Sequence, residues 1–184
     1  MNAQALVQTQ QQGPVLVVSI NNPPVNALGQ GVRAGLLAAV EQLEQDAALK
    51  AMLIVGQGKA FIAGADIREF GKPPMAPALP DVLNRMETGS KLVVAAIHGP
   101  ALGGGLEVAM ATHFRVALAG AKLGLPEVNL GLLPGAGGTQ RSPRLMGVKA
   151  ATELMLSGQQ IGAKAGLAAG LVDKLEEGSD PVAA

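Results

Sequence analysis

Two glutamates, each placed shortly after a break in the chain, have a spacing that points to chemistry. Glu107 follows three successive glycines at 103–105, and Glu127 follows Pro126. If a helix begins near Gly104, Glu107 lies three residues further on and shares a helical face with it. The first amides of a helix have no partner within the helix, so they can donate to an oxygen that carries negative charge. One helix N-terminus would therefore offer an amide donor and a carboxylate to one small molecule.

A second amide donor is predicted near Ala65, where the chain turns at Gly64 after the strand-like residues 60–63. Two amides can polarise one carbonyl oxygen, and paired carboxylates can divide the roles of acid and base when their environments differ. The combination favours proton transfer at a carbon beside a carbonyl, with addition or loss of water.

Each of these residues also has a purely structural interpretation. A glutamate in the first turn of a helix is favoured by the helix dipole, which accounts for both Glu107 and Glu127. Asp66 would likewise cap a helix that begins after Gly64. The local pattern leaves both interpretations open.

Several other kinds of site are disfavoured. The glycines give a poor match to G-x-G-x-x-G, and neither G-K-[ST] nor G-x-S-x-G occurs. The absence of cysteine excludes disulfides, thiolate catalysis and zinc–thiolate sites. His98 and His113 fit no metal-ligand spacing, so we interpret both as structural and predict no metal site.

The charge and the hydropathy of the chain argue against some classes of binding partner. The formal net charge is zero and no block of like charge occurs, which argues against nucleic acid or a membrane surface as the main partner. No apolar run approaches the length of a membrane span, and the polar start is not a signal peptide. We expect a soluble, cytoplasmic protein with one domain.

The elements that must position the candidate residues alternate along the chain. We predict helices at 29–46, 81–91, 106–112, 139–146, 148–156 and 162–169. We predict strands at 6–9, 15–20, 51–55, 60–63, 93–97, 114–119, 122–125 and 171–175. The alternation indicates an α/β fold with largely parallel strand pairing. The proline-rich residues 72–80 are expected to form an irregular, partly mobile excursion within the domain.

Four stretches together resemble the crotonase (enoyl-CoA hydratase/isomerase) superfamily: NNPPVNAL, AFIAGADIREF, HGPALGGGLEVAM and LPEVNLGLLPGAGGTQRSPRLMG. The resemblance runs from about residue 15 to residue 175. It is strongest to the N-terminal hydratase part of multifunctional fatty-acid oxidation enzymes, in which a 3-hydroxyacyl-CoA dehydrogenase follows. It implies the crotonase-like (ClpP/crotonase) spiral of ββα units. We expect residues 1–184 to be one such domain, truncated before the family's C-terminal helices.

The resemblance also implies an activity, the syn addition of water to a 2-trans-enoyl-CoA. Ala65 and Gly104 match the two amides of the family's oxyanion hole. Glu107 and Glu127 match its two catalytic glutamates. Glu107 would hold and deprotonate the water, and Glu127 would deliver a proton to the α-carbon.

The remaining implications concern binding. The backbone around Ala63, Asp66 and Ile67 would lie against the adenine of CoA, and residues 72–80 would lie beside the acyl chain. Hydration needs no cofactor, and NAD would be used only if a dehydrogenase domain follows. The expected partners are the acyl-CoA substrate and either further copies of the chain or a fatty-acid oxidation complex. A eukaryotic source would imply a peroxisomal location.

Two alternatives stay open at this point. One is Δ3-Δ2 isomerisation of an enoyl-CoA, with Glu127 as the proton shuttle. The other is a non-catalytic module that binds CoA thioesters, which the missing C-terminal helices would favour.

Overall fold

The computed structural model describes residues 5–178 and 180–182, and within them strands and helices alternate as predicted. The strands are β1 (Val7–Gln12), β2 (Val15–Ile20), β3 (Ala51–Gly56), β4 (Leu92–Ile97), β5 (Pro100–Leu102), β6 (Phe114–Leu118), β7 (Lys122–Gly124), β8 (Ile161–Gly162) and β9 (Lys174–Glu176). The helices are α1 (Gln30–Gln45), α2 (Leu79–Glu87), α3 (Gly104–Met110), α4 (Gly138–Met146), α5 (Val148–Ser157) and α6 (Ala163–Ala168). Two short 3₁₀ turns cover Ile67–Glu69 and Pro126–Leu130.

The strands form two sheets. Six strands lie in the order β1-β2-β3-β4-β6-β9, in which β1 and β2 are antiparallel and every other neighbouring pair is parallel. The second sheet has the order β5-β7-β8, with β5 and β7 parallel. The central strands β2, β3 and β4 are nearly continuous apolar runs, as expected for parallel strands covered on both faces.

Most of the core is one large aliphatic cluster, and α1 shows how the sequence builds it. Val32, Leu36, Val40 and Leu43 recur at helical spacing and are each at most 1% exposed. They pack into one large cluster of Leu, Val, Ile, Ala and Met side chains that reaches across both sheets. None of the helices in the described part of the chain has the length and apolar character to cross a membrane.

The region around residue 65 departs from the prediction. Residues 60–63 do not form a strand; they make one isolated bridge, from Ile62 to Ala101 of β5. The helix expected after Gly64 is only the 3₁₀ turn Ile67–Glu69, in which Asp66 accepts a hydrogen bond from the amide of Arg68 at 3.0 Å. The glycine and prolines that follow at residues 71, 73 and 74 prevent another turn.

Strands β5 and β8 were not predicted, and several boundaries differ, including the end of α2 at Glu87 instead of residue 91. Helix α2 begins at Leu79, inside the proline-rich segment, because Pro80 lies in the first turn, where no amide donor is needed. Strand β1 runs to Gln12 instead of ending at residue 9, so only residues 13 and 14 separate it from β2. Strand β9 begins at Lys174, because the amides of Leu171 and Val172 both bond back to the carbonyl of Gly166 in a turn.

Candidate active site

The N-terminus of α3 lies where the chain crosses from β4 through β5. Gly103 has φ of +52°, which favours glycine, and it turns the chain into the helix. A Cβ on Gly103 would also lie 3.0 Å from Oε1 of Glu127, so the absence of a side chain lets that carboxylate approach. Helix α3 begins at Gly104, the start that the amide-donor hypothesis requires, and it begins and ends two residues before the predicted range 106–112. All seven residues of α3 are buried, which places Glu107 inside the protein.

Glu107 is 2% exposed and is held by two backbone amides from a distant turn. The amides of Ala136 and Gly138 both donate to its Oε1, each at 2.7 Å. Burial raises the pKa of Glu107, and the two amides and the positive charge of Arg141 oppose that rise. A fixed carboxylate with a raised pKa is suited to act as a general base near neutral pH. No local pattern at residues 135–138 predicted these donors, because the partner carboxylate lies about 30 positions away in the sequence.

Glu127 lies in the 3₁₀ turn Pro126–Leu130 and is partly buried. Burial raises its pKa, and the nearby charge of Glu107 raises it further. Its Oε2 is buried, and no hydrogen-bond partner for it exists among the described residues. The two carboxylates therefore differ: one oxygen of Glu107 is held by two backbone amides, whereas no described residue donates to the buried Oε2 of Glu127. Such a difference allows one group to act as base and the other as acid.

The two predicted amide donors are neighbours in space. Gly64 has φ of +107°, and its carbonyl accepts from the amide of Leu28 at 2.9 Å, which fixes the turn that carries Ala65. The amide nitrogen of Ala65 lies 4.0 Å from the point where a Cβ of Gly104 would stand. Within residues 5–178 and 180–182, neither the Ala65 amide nor the Gly104 amide has a hydrogen-bond acceptor. Both are free to donate to one ligand oxygen.

These groups meet at a cavity of about 340 Å³. Its lining includes both glutamates, both amide donors, and two of the three residues predicted to contact adenine, Ala63 and Ile67. Most of the remaining lining is apolar, and it includes four side chains that are also exposed and that sequence reasoning missed: Phe70, Leu130, Leu132 and Leu133. The cavity therefore pairs a polar reaction centre with an apolar wall.

Asp66, the third residue predicted to contact adenine, does not line this cavity. Its carboxylate pairs with Arg68 at 2.7 Å, and that hydrogen-bonded pairing lowers the pKa of Asp66 to about 2. It lies instead in a neighbouring depression of about 310 Å³. Its side chain thus serves the local cap, and a contact between its backbone and adenine stays a prediction.

The two histidines have backbone partners and do not line the cavity. Nδ1 of His113 accepts from the amide of Val93 at 3.1 Å, and Nε2 of His98 lies 3.0 Å from the carbonyl of Gly58. These contacts agree with the structural interpretation of both residues. In the described part of the chain, no group of three or more His, Asp or Glu side chains is arranged to hold a metal ion.

The architecture has a counterpart among solved structures. The crystal structure of enoyl-CoA hydratase from Mycobacterium tuberculosis H37Rv matches with a TM-score of 0.91 and 33% sequence identity, over 98% of this chain and 72% of that chain. The match confirms the predicted crotonase fold. The enoyl-CoA hydratase/isomerase family profile covers residues 10–179, and the chain belongs to that family.

Two curated relatives support the same assignment. A peroxisomal bifunctional enzyme of Danio rerio is 48% identical over 89% of this chain and 23% of its own length. A probable enoyl-CoA hydratase of Bacillus subtilis (strain 168) is 47% identical over 86% of this chain and 64% of its own length. The chain thus spans about a quarter of the first relative and less than two thirds of the second. The predicted resemblance to part of a multifunctional fatty-acid oxidation enzyme is confirmed.

Proposed function

We propose that this chain hydrates a 2-trans-enoyl-CoA to the 3-hydroxyacyl-CoA in fatty-acid β-oxidation. The observation that carries the proposal is the meeting of four groups at one cavity: the carboxylates of Glu107 and Glu127 and the free amides of Ala65 and Gly104. Family membership and the hydratase names of relatives support the same chemistry.

In the proposed reaction, the thioester oxygen accepts hydrogen bonds from the amides of Ala65 and Gly104. Glu107 takes a proton from a water molecule, whose oxygen forms a bond to C3 of the substrate. The C2–C3 double bond becomes single, and negative charge moves onto the thioester oxygen, where the two amides stabilise it. C2 then takes a proton from Glu127.

The net reaction adds one water molecule across the C2–C3 double bond. Glu107 gains the proton that Glu127 gives up, and exchange with solvent restores both groups. Nothing is oxidised or reduced, so the residues need no redox cofactor for this step; NAD would be used only by an attached dehydrogenase. We place the acyl chain against the apolar lining, and the adenine against the backbone of Ala63, Asp66 and Ile67.

The test follows the absorbance of the conjugated enoyl thioester with a short-chain 2-enoyl-CoA. Glu107→Gln and Glu127→Gln should each lower kcat by ~10² or more, because each removes a positioned proton donor or acceptor. Glu41→Gln, an exposed carboxylate on α1, is the matched control and should keep the parent rate. A Glu107→Gln variant that hydrates substrate at the parent rate would rule out the proposed role.

The same variants separate the alternatives. An isomerase would convert 3-enoyl-CoA to 2-enoyl-CoA through Glu127 and would tolerate Glu107→Gln. A non-catalytic module would bind the CoA thioester without turnover of either substrate. We favour hydration because both glutamates lie at the cavity and Glu107 is held by two donors.

A further inference from the structure

The turn at residues 135–138 holds Glu107, and one arginine holds that turn. Arg141, in the first turn of α4, donates through Nη1 to the carbonyl oxygen of Ala136 at 2.8 Å. Ala136 in turn donates its amide to Oε1 of Glu107 at 2.7 Å. Ala136 thus connects the two side chains: its carbonyl accepts from Arg141, and its amide donates to Glu107.

The guanidinium of Arg141 is itself fixed by α2. It donates to both oxygens of Glu87, through Nη2 to Oε2 at 2.7 Å and through Nε to Oε1 at 3.2 Å. The Arg141 side chain is only 12% exposed. A planar, two-point pairing of this kind sets the orientation of the guanidinium as well as its position. The turn is therefore braced against the last residue of α2.

Two glycines give the arginine and the glutamate room to reach the turn. A Cβ on Gly137 would lie 2.2 Å from Nη1 of Arg141, and Gly137 has φ of +98°. A Cβ on Gly138 would lie 3.0 Å from Oε1 of Glu107. Arg141 and Glu107 therefore both pack closely against the turn at residues 135–138, at positions where a side chain larger than glycine would crowd them.

We propose that Arg141 is a positioning residue for Glu107, acting through the turn whose two amides hold one oxygen of that carboxylate. The proposal rests on the hydration function. Arg141 does not line the cavity, so it acts on the reaction only through Glu107. Without it, the turn loses its brace, and the two amides no longer hold the carboxylate in the orientation that abstracts a proton from water.

Arg141 also acts through its charge. It opposes the effect of burial on the pKa of Glu107, and its loss should raise that pKa further. The other charged group that faces Glu107 is Glu127. Strands β4 and β5, which also pack on α3, contain no titratable residue. Helix α2 presents Glu87, paired with Arg141, while Asp81 and Arg85 are exposed to solvent.

The experiment measures kcat, KM and the pH dependence of kcat for enoyl-CoA hydration in Arg141→Gln. We expect kcat to fall by roughly 10–100-fold with KM within about twofold, since the geometry of the base changes and the binding surface does not. We expect the acidic limb of the profile to move to higher pH, because Glu107 must be ionised to accept a proton. Arg85→Gln, an exposed arginine on α2, is the matched control and should change neither quantity.

The outcomes separate this proposal from the proposed function. Suppose that Glu107→Gln is inactive but Arg141→Gln changes neither kcat nor the acidic limb. That result overturns the positioning role and leaves the hydration function intact. Inactivity of the parent, or full activity of Glu107→Gln, refutes the function instead. If Arg141→Gln does not fold, Arg141→Lys tests the proposal instead. Lysine keeps the positive charge but lacks the planar guanidinium, so kcat should fall by roughly tenfold while the acidic limb stays at the parent pH. An unchanged kcat in Arg141→Lys overturns the proposal.

Discussion

At the scale of the residue, Glu107 shows a conflict between chemistry and stability. Its carboxylate is buried, which disfavours the charged form that a general base needs. Two amides and the charge of Arg141 offset part of that penalty, but the pKa of Glu107 stays above its ordinary value. Placing this carboxylate in the interior therefore destabilises the folded state whenever the carboxylate is ionised.

The pH dependence of this effect is predictable. Because the pKa of Glu107 is higher in the folded chain than in the unfolded chain, the folded state binds more protons between the two values. The free energy of unfolding therefore falls as pH rises through that window. Glutamine has no such proton, and its amide oxygen can still accept from Ala136 and Gly138.

We expect Glu107→Gln to be at least as stable as the parent at neutral pH, and under the proposed function we expect it to be inactive. The difference in the free energy of unfolding should shrink as pH falls from the raised pKa to the ordinary glutamate pKa, and it should stay small below that value, where both chains are neutral at this position. Urea unfolding at a series of pH values measures it. A variant less stable than the parent at neutral pH by more than about 1 kcal/mol would contradict this account.

At the scale of the element, one side chain of α1 holds two neighbouring loop segments in place. Arg33 donates to the carbonyls of Leu28, Met75 and Pro77 at 2.8–3.0 Å and pairs with Glu69 at 2.7 Å. These contacts connect the turn after Ala65 to the proline-rich segment that precedes α2. The segment expected from its composition to be an irregular excursion is thus attached to α1 through its backbone oxygens.

Removing this connection should destabilise the fold. The Arg33 side chain is 10% exposed, so Arg33→Met leaves Glu69 without its buried partner and three carbonyls without a donor. We expect a loss of about 3 kcal/mol in the free energy of unfolding, measured with urea, and faster proteolysis within residues 71–78.

Arg68→Met is the matched control, because the Arg68 side chain is 75% exposed and its pair with Asp66 is largely screened by solvent. It should lower the free energy of unfolding clearly less than Arg33→Met does in the same urea experiment. Equal stability of the two variants would show that Arg33 does not hold the segment.

At the scale of the whole molecule, the two sheets share one core with almost no aromatic residues. Phe61 is the exception: it is fully buried, one residue before the bridge that joins Ile62 to β5. In an aliphatic core, no neighbouring side chain is large enough to fill the space that a phenylalanine occupies. Phe61 therefore has a disproportionate part in the stability of the fold.

We expect Phe61→Ala to lower the free energy of unfolding by about 3–5 kcal/mol, from lost burial and from the cavity that remains. Phe114→Ala removes the same ring from a position that is 51% exposed and should cost no more than about 1 kcal/mol. Chemical denaturation of both variants compares the two sites. A small effect at Phe61 would mean that the core closes around the vacancy.

The local signals in the sequence predicted most of the scaffold and named the candidate groups, and the family resemblance then favoured the functional interpretation of those groups. Apolar runs predicted β2, β3 and β4, and helical periodicity predicted α1, because these patterns depend on neighbouring residues. The glycines before Glu107 and the turn before Ala65 predicted two amide donors, which the structure brings together. Local rules were wrong at residues 60–63, where a strand-like composition forms only one bridge.

The sequence by itself therefore determined the α/β alternation, the aliphatic core and the choice of Glu107 and Glu127 as candidate site residues. Only the tertiary structure decided how Glu107 is held. Its two amide donors come from residues 29 and 31 positions away, and the Arg141–Glu87 pair that braces them joins positions 54 apart. Propensity and periodicity act over a few residues, whereas these contacts exist only once α2, α3 and α4 have packed around one turn.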